Sequence, residues 1–487
     1  MIRNDDLGAL LRTAPWLPED ARRAERFERV DHAELGAAAH LLVVAAVGGP
    51  ASGQRWFVPV GPLPDGTGVE EAHGGEAFDA AALDAVCAGD RLRTDRGGLV
   101  LFRGAGLTPR EVRPLPFERG WSSNALSLVE NDGAAYVHKT YRRLDEPVRE
   151  PELLRLLNGT GRTPDWAGDY TYVDPATGTH HPLGVFYRYA PGDGIDLPLR
   201  QSMRSLWPKV TGAPAALDDT VRAHLRPLER NLREAGRFLA GFHQDLAAGL
   251  GGRPAPPYPV REMLARATAR TAGLASADVG LPAAARDAAF TALAEETDAL
   301  RSAFDAAPAG FASGPCHGDL HLSHLLCRPR DDGSWSMNVI DLSTPALGPG
   351  DPGWAAQSPV QDLVAVQRAL EYFTADEAAF ESARRLGIDS FDTMRGALDG
   401  ADDWPPGRRA VLRQVFHAAD VWRARVTRLL LGTTATDPLR RLLYLGRLLH
   451  ELAYNIDHAR PYHAAIDLRH ALALGARTPA STLPART

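Results

Sequence analysis

Cysteine is scarce in this chain, with three among 487 residues: Cys87, Cys316 and Cys327. They form no metal-like pair spacing and no even framework, so a disulfide scaffold is excluded and a reducing cytoplasm is the expected location. Isolated cysteines of this kind behave as small buried hydrophobes. Long apolar runs are missing too. No stretch of about 18 uncharged apolar residues occurs, which argues against a membrane-spanning helix, and the longest local candidate, Leu41 to Val47, is strand-sized. The first residues, MIRNDDLGALL, place two adjacent acids where a secretory segment would need apolar residues, so none is expected. Positive charge is not in excess either. A net charge of −7 argues against a broad nucleic-acid footprint. No internal repeat or low-complexity tract stands out.

What is present is ordinary for a soluble globular protein: 44% hydrophobic and 24% charged residues. A single core stops growing near roughly 250–300 residues, so 487 residues call for two or three domains. Residues 1–112 read as short strands with one helix: strands at His40–Val47, Arg55–Val60 and Gly98–Arg103, and a helix at Ala77–Ala88. From Arg113 the texture changes. Leu126–Val129 and Ala134–His138 flank Asn131-Asp132-Gly133, the signature of a tight hairpin. A short helix is expected at Pro151–Leu157, then a loop rich in Gly, Thr and Asp, then a strand at Gly184–Tyr189 that ends on Ala-Pro-Gly-Asp-Gly. Beyond residue 215 apolar spacing near 3.6 predicts helices over Thr220–Ala248, Ala284–Ala306, Gln361–Thr374, Arg408–Leu431 and Asp437–Asp457.

One island interrupts the helical part. It reads Cys-His-Gly-Asp-Leu-His-Leu-Ser-His from Cys316 to His324, then a charged turn, then Met337–Ile340 with Asp341 at its carboxyl end. A residue leaving the end of such a strand faces the crevice where ligands bind. Phosphoryl transfer needs a carboxylate to take the proton of an attacking hydroxyl, and hard oxygen ligands to hold Mg²⁺ against the β- and γ-phosphates. Asp319, His324 and Asp341 supply such a series. Upstream, Lys139 ends the second strand of the hairpin, where a lysine reaching the α- and β-phosphates belongs. Glu152 is taken as its acid partner, with Glu146 and Glu150 as rivals that spacing does not exclude. The loop Arg119–Asn124, with Ser122, Ser123 and Asn124, offers small polar groups to cover phosphates, although it follows neither Gly-rich pattern.

His317-Gly318-Asp319-Leu320-His321 followed by Asp341 resembles the catalytic loop and metal aspartate of the aminoglycoside phosphotransferase superfamily. The run HGDLHLSHLL is most similar to the maltokinase-like, actinobacterial sugar-kinase branch, which also carries an N-terminal cap. The resemblance implies an α+β, protein-kinase-like bilobal fold. Its parts would be a β-rich cap domain (1–112), a nucleotide-binding lobe (113–195) and a mainly helical C-terminal lobe with the catalytic loop and acceptor site (196–487). It implies Asp319 as catalytic base, Asp341 as principal Mg²⁺ ligand, ATP as donor, and backbone groups of Arg188, Tyr189 and Ala190 as the meeting place for adenine. His324 departs from the pattern, which has Asn, or Gln in the maltokinase branch. An imidazole binds metals but suits ions softer than Mg²⁺. Asp362, after Gly348–Pro352, would tie the backbone of the catalytic loop or simply sit in the first turn of a helix.

For the acceptor, sugars are held by carboxylates, amides and an aromatic platform. Asp420, Trp422 and Arg423 on one helix, and Glu451, Asn455 and His458 on another, offer these groups at helical spacing. The expectation is a sugar kinase acting on a small sugar, first an amino sugar such as glucosamine, with maltose as the alternative. A catalytically silent sugar or nucleotide sensor and a protein kinase rank below it. The oligomeric state has no signature in the sequence.

Overall fold

The computed structural model describes residues 4–62, 69–108, 110, 112–117, 124–211, 214–249, 256–277, 280–306, 310–311, 313–342, 356–432 and 437–475. Two compact units divide the chain: Met1–Pro191 with Asn338–Thr344, and Gly192–Met337 with Pro345–Thr487.

The first unit is β-rich. Helices α1 (Asn4–Thr13) and α2 (Glu19–Arg22) precede a four-stranded antiparallel sheet of β1 (Arg26–Leu35), β2 (Ala39–Val47), β3 (Arg55–Pro62) and β4 (Val69–Glu71), in that order. Helix α3 (Glu76–Ala88) leads to a second sheet. Its strands are β5 (Arg91–Arg93), β6 (Leu99–Gly104), β7 (Arg113–Leu115), β8 (Ala125–Asn131), β9 (Ala134–Thr140), β10 (Trp166–Val173) and β11 (His180–Arg188). They run in the order β5-β6-β10-β11-β9-β8-β7, with α4 (Glu150–Leu156) inserted between β9 and β10. Phe57, Phe78, Leu83, Val86, Phe102, Tyr170 and Phe186 belong to one apolar core shared by the two sheets and α3. The division expected at residue 112 falls inside the larger sheet, because β6 pairs with β10 and β11 pairs with β9.

The β8–β9 hairpin turns on Asp132 (φ 54°) and Gly133 (φ 71°). Both residues are left-handed, as a two-residue turn matched to strand twist requires. The stretch expected as loop after α4 contains strand β10, a central member of the sheet, and the first residues of β11. Its Gly and Asp look like turn chemistry but serve close packing. A Cβ on Gly168 would lie 2.1 Å from Val86 Cγ1 and 2.7 Å from the Arg103 carbonyl oxygen, so only glycine lets the neighbouring backbone approach. Asp169 is fully buried and held by Arg103 at 2.8 Å.

A three-stranded sheet is formed by β12 (Asp193–Gly194), β13 (Leu325–Pro329) and β14 (Trp335–Val339), in that order, and the last two residues of β14 are counted with the first unit. Helices supply the rest of the second unit: α5 (Asp196–Leu206), α6 (Pro214–Leu225), α7 (Glu229–Gly249), α8 (Val260–Leu274), α9 (Ala283–Ala306), α10 (Pro359–Leu386), α11 (Ser390–Asp399), α12 (Pro406–Leu431), α13 (Pro438–Asp457) and α14 (Pro461–Gly475). The single helix expected over Thr220–Ala248 is two, α6 and α7, joined by a 3₁₀ turn at Arg226–Leu228. Pro227 explains the break, since its ring removes an N–H donor and crowds the preceding turn. Helix α10 outruns its expected end at Thr374. Beyond that point its buried face is built of Ala375, Glu377, Ala378, Ala379 and Glu381, which carry little apolar periodicity. Its ends are well marked, by a Ser358/Gln361 capping box and by Gly387 at φ 65°. Among the described residues no helix is long and apolar enough to cross a membrane.

Candidate active site

Lys139 lies on β9 and its side chain is almost completely buried. Its Nζ donates to Asp341 Oδ1 at 2.5 Å and lies 2.8 Å from Glu150 Oε2. Burial alone would push this ammonium toward neutrality, but Glu150 and Asp341 overcome it and raise its pKa well above the ordinary value. Glu150 is held in turn by the Tyr141 hydroxyl, which donates to Oε2 at 2.7 Å. The acid that meets Lys139 is therefore Glu150 and not the expected Glu152. Helical phase decides this. Glu150, Leu153, Leu154 and Leu157 form the inward stripe of α4, whereas Glu152 lies on the far side and is exposed.

Asp341 follows two residues after the end of β14, where the Val339 N–H donates to the Arg162 carbonyl at 2.8 Å. Its backbone is left-handed, φ 62°. Aspartate tolerates that region better than most residues, yet outside glycine it costs of order 1–3 kcal/mol. The turn aims the carboxylate at Lys139 and leaves its side chain 41% exposed.

Of the other residues expected at the nucleotide, Ser122 and Ser123 lie outside the described residues, as does Gly348–Pro352. Asn124 immediately precedes β8. The Arg188 N–H donates to the Asp165 carbonyl at 2.8 Å and the Tyr189 N–H to the Ala135 carbonyl at 2.9 Å. Those two N–H groups are thus engaged within the unit, so they are not the groups of this stretch that would meet adenine. The Arg188 guanidinium sits over the Tyr136 ring, 5.7 Å from its centroid.

The catalytic-loop candidate is built by the second unit. Asp362, fully buried in the first turn of α10, accepts the N–H groups of His317 and Gly318, each at 2.8 Å, and pairs with His243 Nε2 at 2.8 Å. It thereby fixes the Cys316–Asp319 backbone from below. Asp319 receives His321 Nε2 and Arg447 Nη1, both at 3.2 Å and both on Oδ1. Burial would raise the Asp319 pKa, but the His321 hydrogen bond and the Arg447 and histidine charges hold it well below the usual carboxylate range. His321 thus bonds the carboxylate itself. In His324, Nδ1 donates to the Asp319 carbonyl at 3.1 Å, and the ring stacks on His317 with centroids 5.5 Å apart. That bond engages Nδ1 of the ring.

Arg447 was not among the expected residues. It lies one turn before Glu451 on α13 and donates to it at 2.6 Å, so the i,i+4 pair was legible although only its acid was singled out.

The acceptor candidates resolve differently. Glu451 bonds Arg368 at 2.8 Å as well as Arg447. Asp420 pairs with Arg469 and Arg423, and Arg423 also reaches Glu371. Asn455 donates to Tyr372 and to Asp467, both at 2.9 Å. These groups belong to one ion network around buried Arg368, with Glu371 and Asp467 at its centre. Within it burial lifts Asp467, against the pull of Arg368, up to about 7. Trp422 is fully buried against Phe373, so it cannot offer a ring face to a sugar. Trp422→Ala is expected to cost about 3–5 kcal/mol of unfolding free energy, as for other buried aromatics. Denaturant unfolding checks this. His458 caps the end of α13 and stacks on exposed Tyr454 at 4.0 Å, outside the network.

Residues 114–354 match the model of the phosphotransferase enzyme family. Among solved structures, the chain is similar to a glucosamine kinase in complex with glucosamine, ADP and inorganic phosphate. Identity is 20%, coverage 98% of this chain and 100% of that one, and the TM-score 0.56. A second glucosamine kinase structure, crystal form A, gives 21% identity, 99% and 100% coverage and the same TM-score of 0.56. A search of curated proteins returns no match. At these identities the likeness carries the fold, which is kinase-like and mixes a β-rich part with a largely helical one. Lys139, Glu150, Asp319 and Asp341 all fall inside the segment, residues 114–354, that matches the phosphotransferase enzyme family model.

Proposed function

We propose that the protein is an ATP-dependent sugar kinase that transfers the γ-phosphoryl group to a hydroxyl of a small sugar, first an amino sugar such as glucosamine. The observation that carries the kinase reading is buried Lys139 held between Glu150 and Asp341. A lysine kept charged by a helix acid is the part a kinase uses on the donor phosphates. Asp319 is the proposed base: it stays ionised, and its two side-chain bonds occupy Oδ1, leaving Oδ2 to accept a proton from the acceptor hydroxyl. Arg447 positions that carboxylate and Glu451 positions Arg447.

For Mg²⁺, Asp341 fits, since it offers a partly exposed hard oxygen beside a lysine that it shares with the donor phosphates. The ion, when bound, would neutralise charge on the β- and γ-phosphates. His324 fits poorly, because Nδ1 is engaged by the Asp319 carbonyl and an imidazole suits ions softer than Mg²⁺. Activity in Mg²⁺ at least equal to that in Mn²⁺ is the result this reading requires; a strong Mn²⁺ preference would return His324 to the metal.

The amino-sugar acceptor rests on likeness over the whole chain to glucosamine kinase. A second reading, a neutral disaccharide such as maltose, is favoured by one observation: Asp420 and Glu451 are already matched by arginines, so neither is left to meet an ammonium group. ADP release measured with ATP, Mg²⁺ and glucosamine, N-acetylglucosamine, glucose or maltose separates them. The proposal expects the highest kcat/KM on glucosamine. A preference for maltose selects the second reading, and ATP binding with no turnover on any sugar would make the protein a sensor.

Arg447→Met tests the positioning role. Loss of the guanidinium removes a cause of the low Asp319 pKa, so the acid limb of the kcat/KM–pH profile is expected to move to higher pH. A uniformly scaled profile with an unmoved limb would reduce Arg447 to a structural part.

A further inference from the structure

His138 and Thr140 flank Lys139 on β9 and, by strand alternation, point to the opposite face of the sheet. There they enter a polar cluster that the proposed phosphoryl transfer does not use. His138 is fully buried. Its Nδ1 lies 2.7 Å from Asp79 Oδ1, on α3, and its Nε2 lies 2.9 Å from the Tyr170 hydroxyl on β10. Thr140 Oγ1 lies 2.5 Å from His73 Nδ1, in the turn before α3. One ligand atom each from His73, Asp79 and His138 fall within 4.8 Å of one another. Asp79 is 1% exposed, yet its Oδ2 has no hydrogen-bond partner among the described residues. A buried carboxylate oxygen left unmatched is costly, and a cation accounts for it directly.

We infer that His73, Asp79 and His138 form a binding site for a divalent transition metal of the zinc class, which staples α3 to the back of the strand that carries Lys139. Two imidazoles and a carboxylate suit zinc and leave one position for water. Binding needs one tautomer change. The proton on His138 Nδ1 moves to Nε2, which then donates to the Tyr170 oxygen, while Nδ1 takes the metal in place of its bond to Asp79. His73 binds through Nε2 with its Nδ1–H donating to Thr140, an outer-shell bond that fixes the ring. Its place in a half-buried turn gives the ion a way in.

A second group, His32, Glu34 and His40, has similar composition. There no side chain has a buried polar atom left without a hydrogen-bond partner among the described residues, as Asp79 Oδ2 is in the first group. It serves as the control.

The test uses the full chain, stripped with a chelator and freed of any histidine tag, titrated with Zn²⁺ by calorimetry and with Co²⁺ by visible absorption. One equivalent is expected to bind, with the intense visible band of low-coordinate Co²⁺. His73→Gln, at a position that need not disturb the core, is expected to weaken binding about tenfold or more, with an unchanged circular dichroism spectrum; His40→Gln is expected to leave it unchanged. No binding by the wild type at micromolar metal would overturn the site. So would loss of binding in His40→Gln with none in His73→Gln.

Discussion

Asp319→Asn is expected to lower phosphoryl transfer by about 10²–10⁴-fold, the usual contribution of a general base, while nucleotide affinity changes little. Asparagine keeps the size of the side chain and can still meet Arg447 and His321 through its carbonyl oxygen, so the loop tied down by Asp362 should hold its shape. What is lost is the charge proposed to accept a proton. Sign matters for the accompanying stability effect. A carboxyl whose folded pKa is depressed stabilises the protein above its unfolded value, near pH 4, and loses that contribution as pH falls toward the folded value. Asp319→Asn should therefore flatten the acid side of the stability profile and leave the neutral side similar in shape. Rates at saturating ATP, and melting temperatures from pH 2 to 7, separate the two effects.

Lys139→Met carries the second large expectation. Loss of the charged donor proposed for the donor phosphates should cost about 10²–10³-fold in turnover. It should also destabilise the fold by roughly 3–5 kcal/mol, because buried Glu150 loses its cation. These two losses can be taken apart. Lys139→Met with Glu150→Gln removes both charges and still leaves Tyr141 a hydrogen-bond acceptor, so stability should largely return. Activity should not. Recovery of both would mean that Lys139 matters only as half of a buried ion pair. Glu152→Gln, on the exposed face of α4, is expected to change neither quantity.

The contrast between Glu150 and Glu152 shows what the sequence could and could not say. Both acids open the same short helix, and spacing from Lys139 does not rank them. Only the orientation of α4 does, and tertiary packing sets that. Local chemistry was more legible. The Asn131-Asp132-Gly133 turn, the strand-end position of Lys139 and the place of Asp341 just past an apolar strand each follow from residue types within a few positions, whereas the left-handed backbone of Asp341 does not. Strand β10 was not legible, because Gly168 and Asp169 carry the same letters whether they make a turn or admit a neighbouring backbone. In the C-terminal helices, charged residues at helical spacing were read as a ligand surface. Such spacing cannot tell an open polar face from one closed by arginines on other helices, and Arg368, Arg423 and Arg469 close this one.

The central claim is that this chain moves a phosphoryl group onto a sugar hydroxyl with Asp319 as the base. Phosphorus NMR of the full chain with ATP, Mg²⁺ and glucosamine tests it most directly. The account predicts a new phosphate monoester resonance that grows in step with ADP and is lost in Asp319→Asn. ATP that stays intact with every sugar offered, or a monoester formed equally fast by Asp319→Asn, would contradict it.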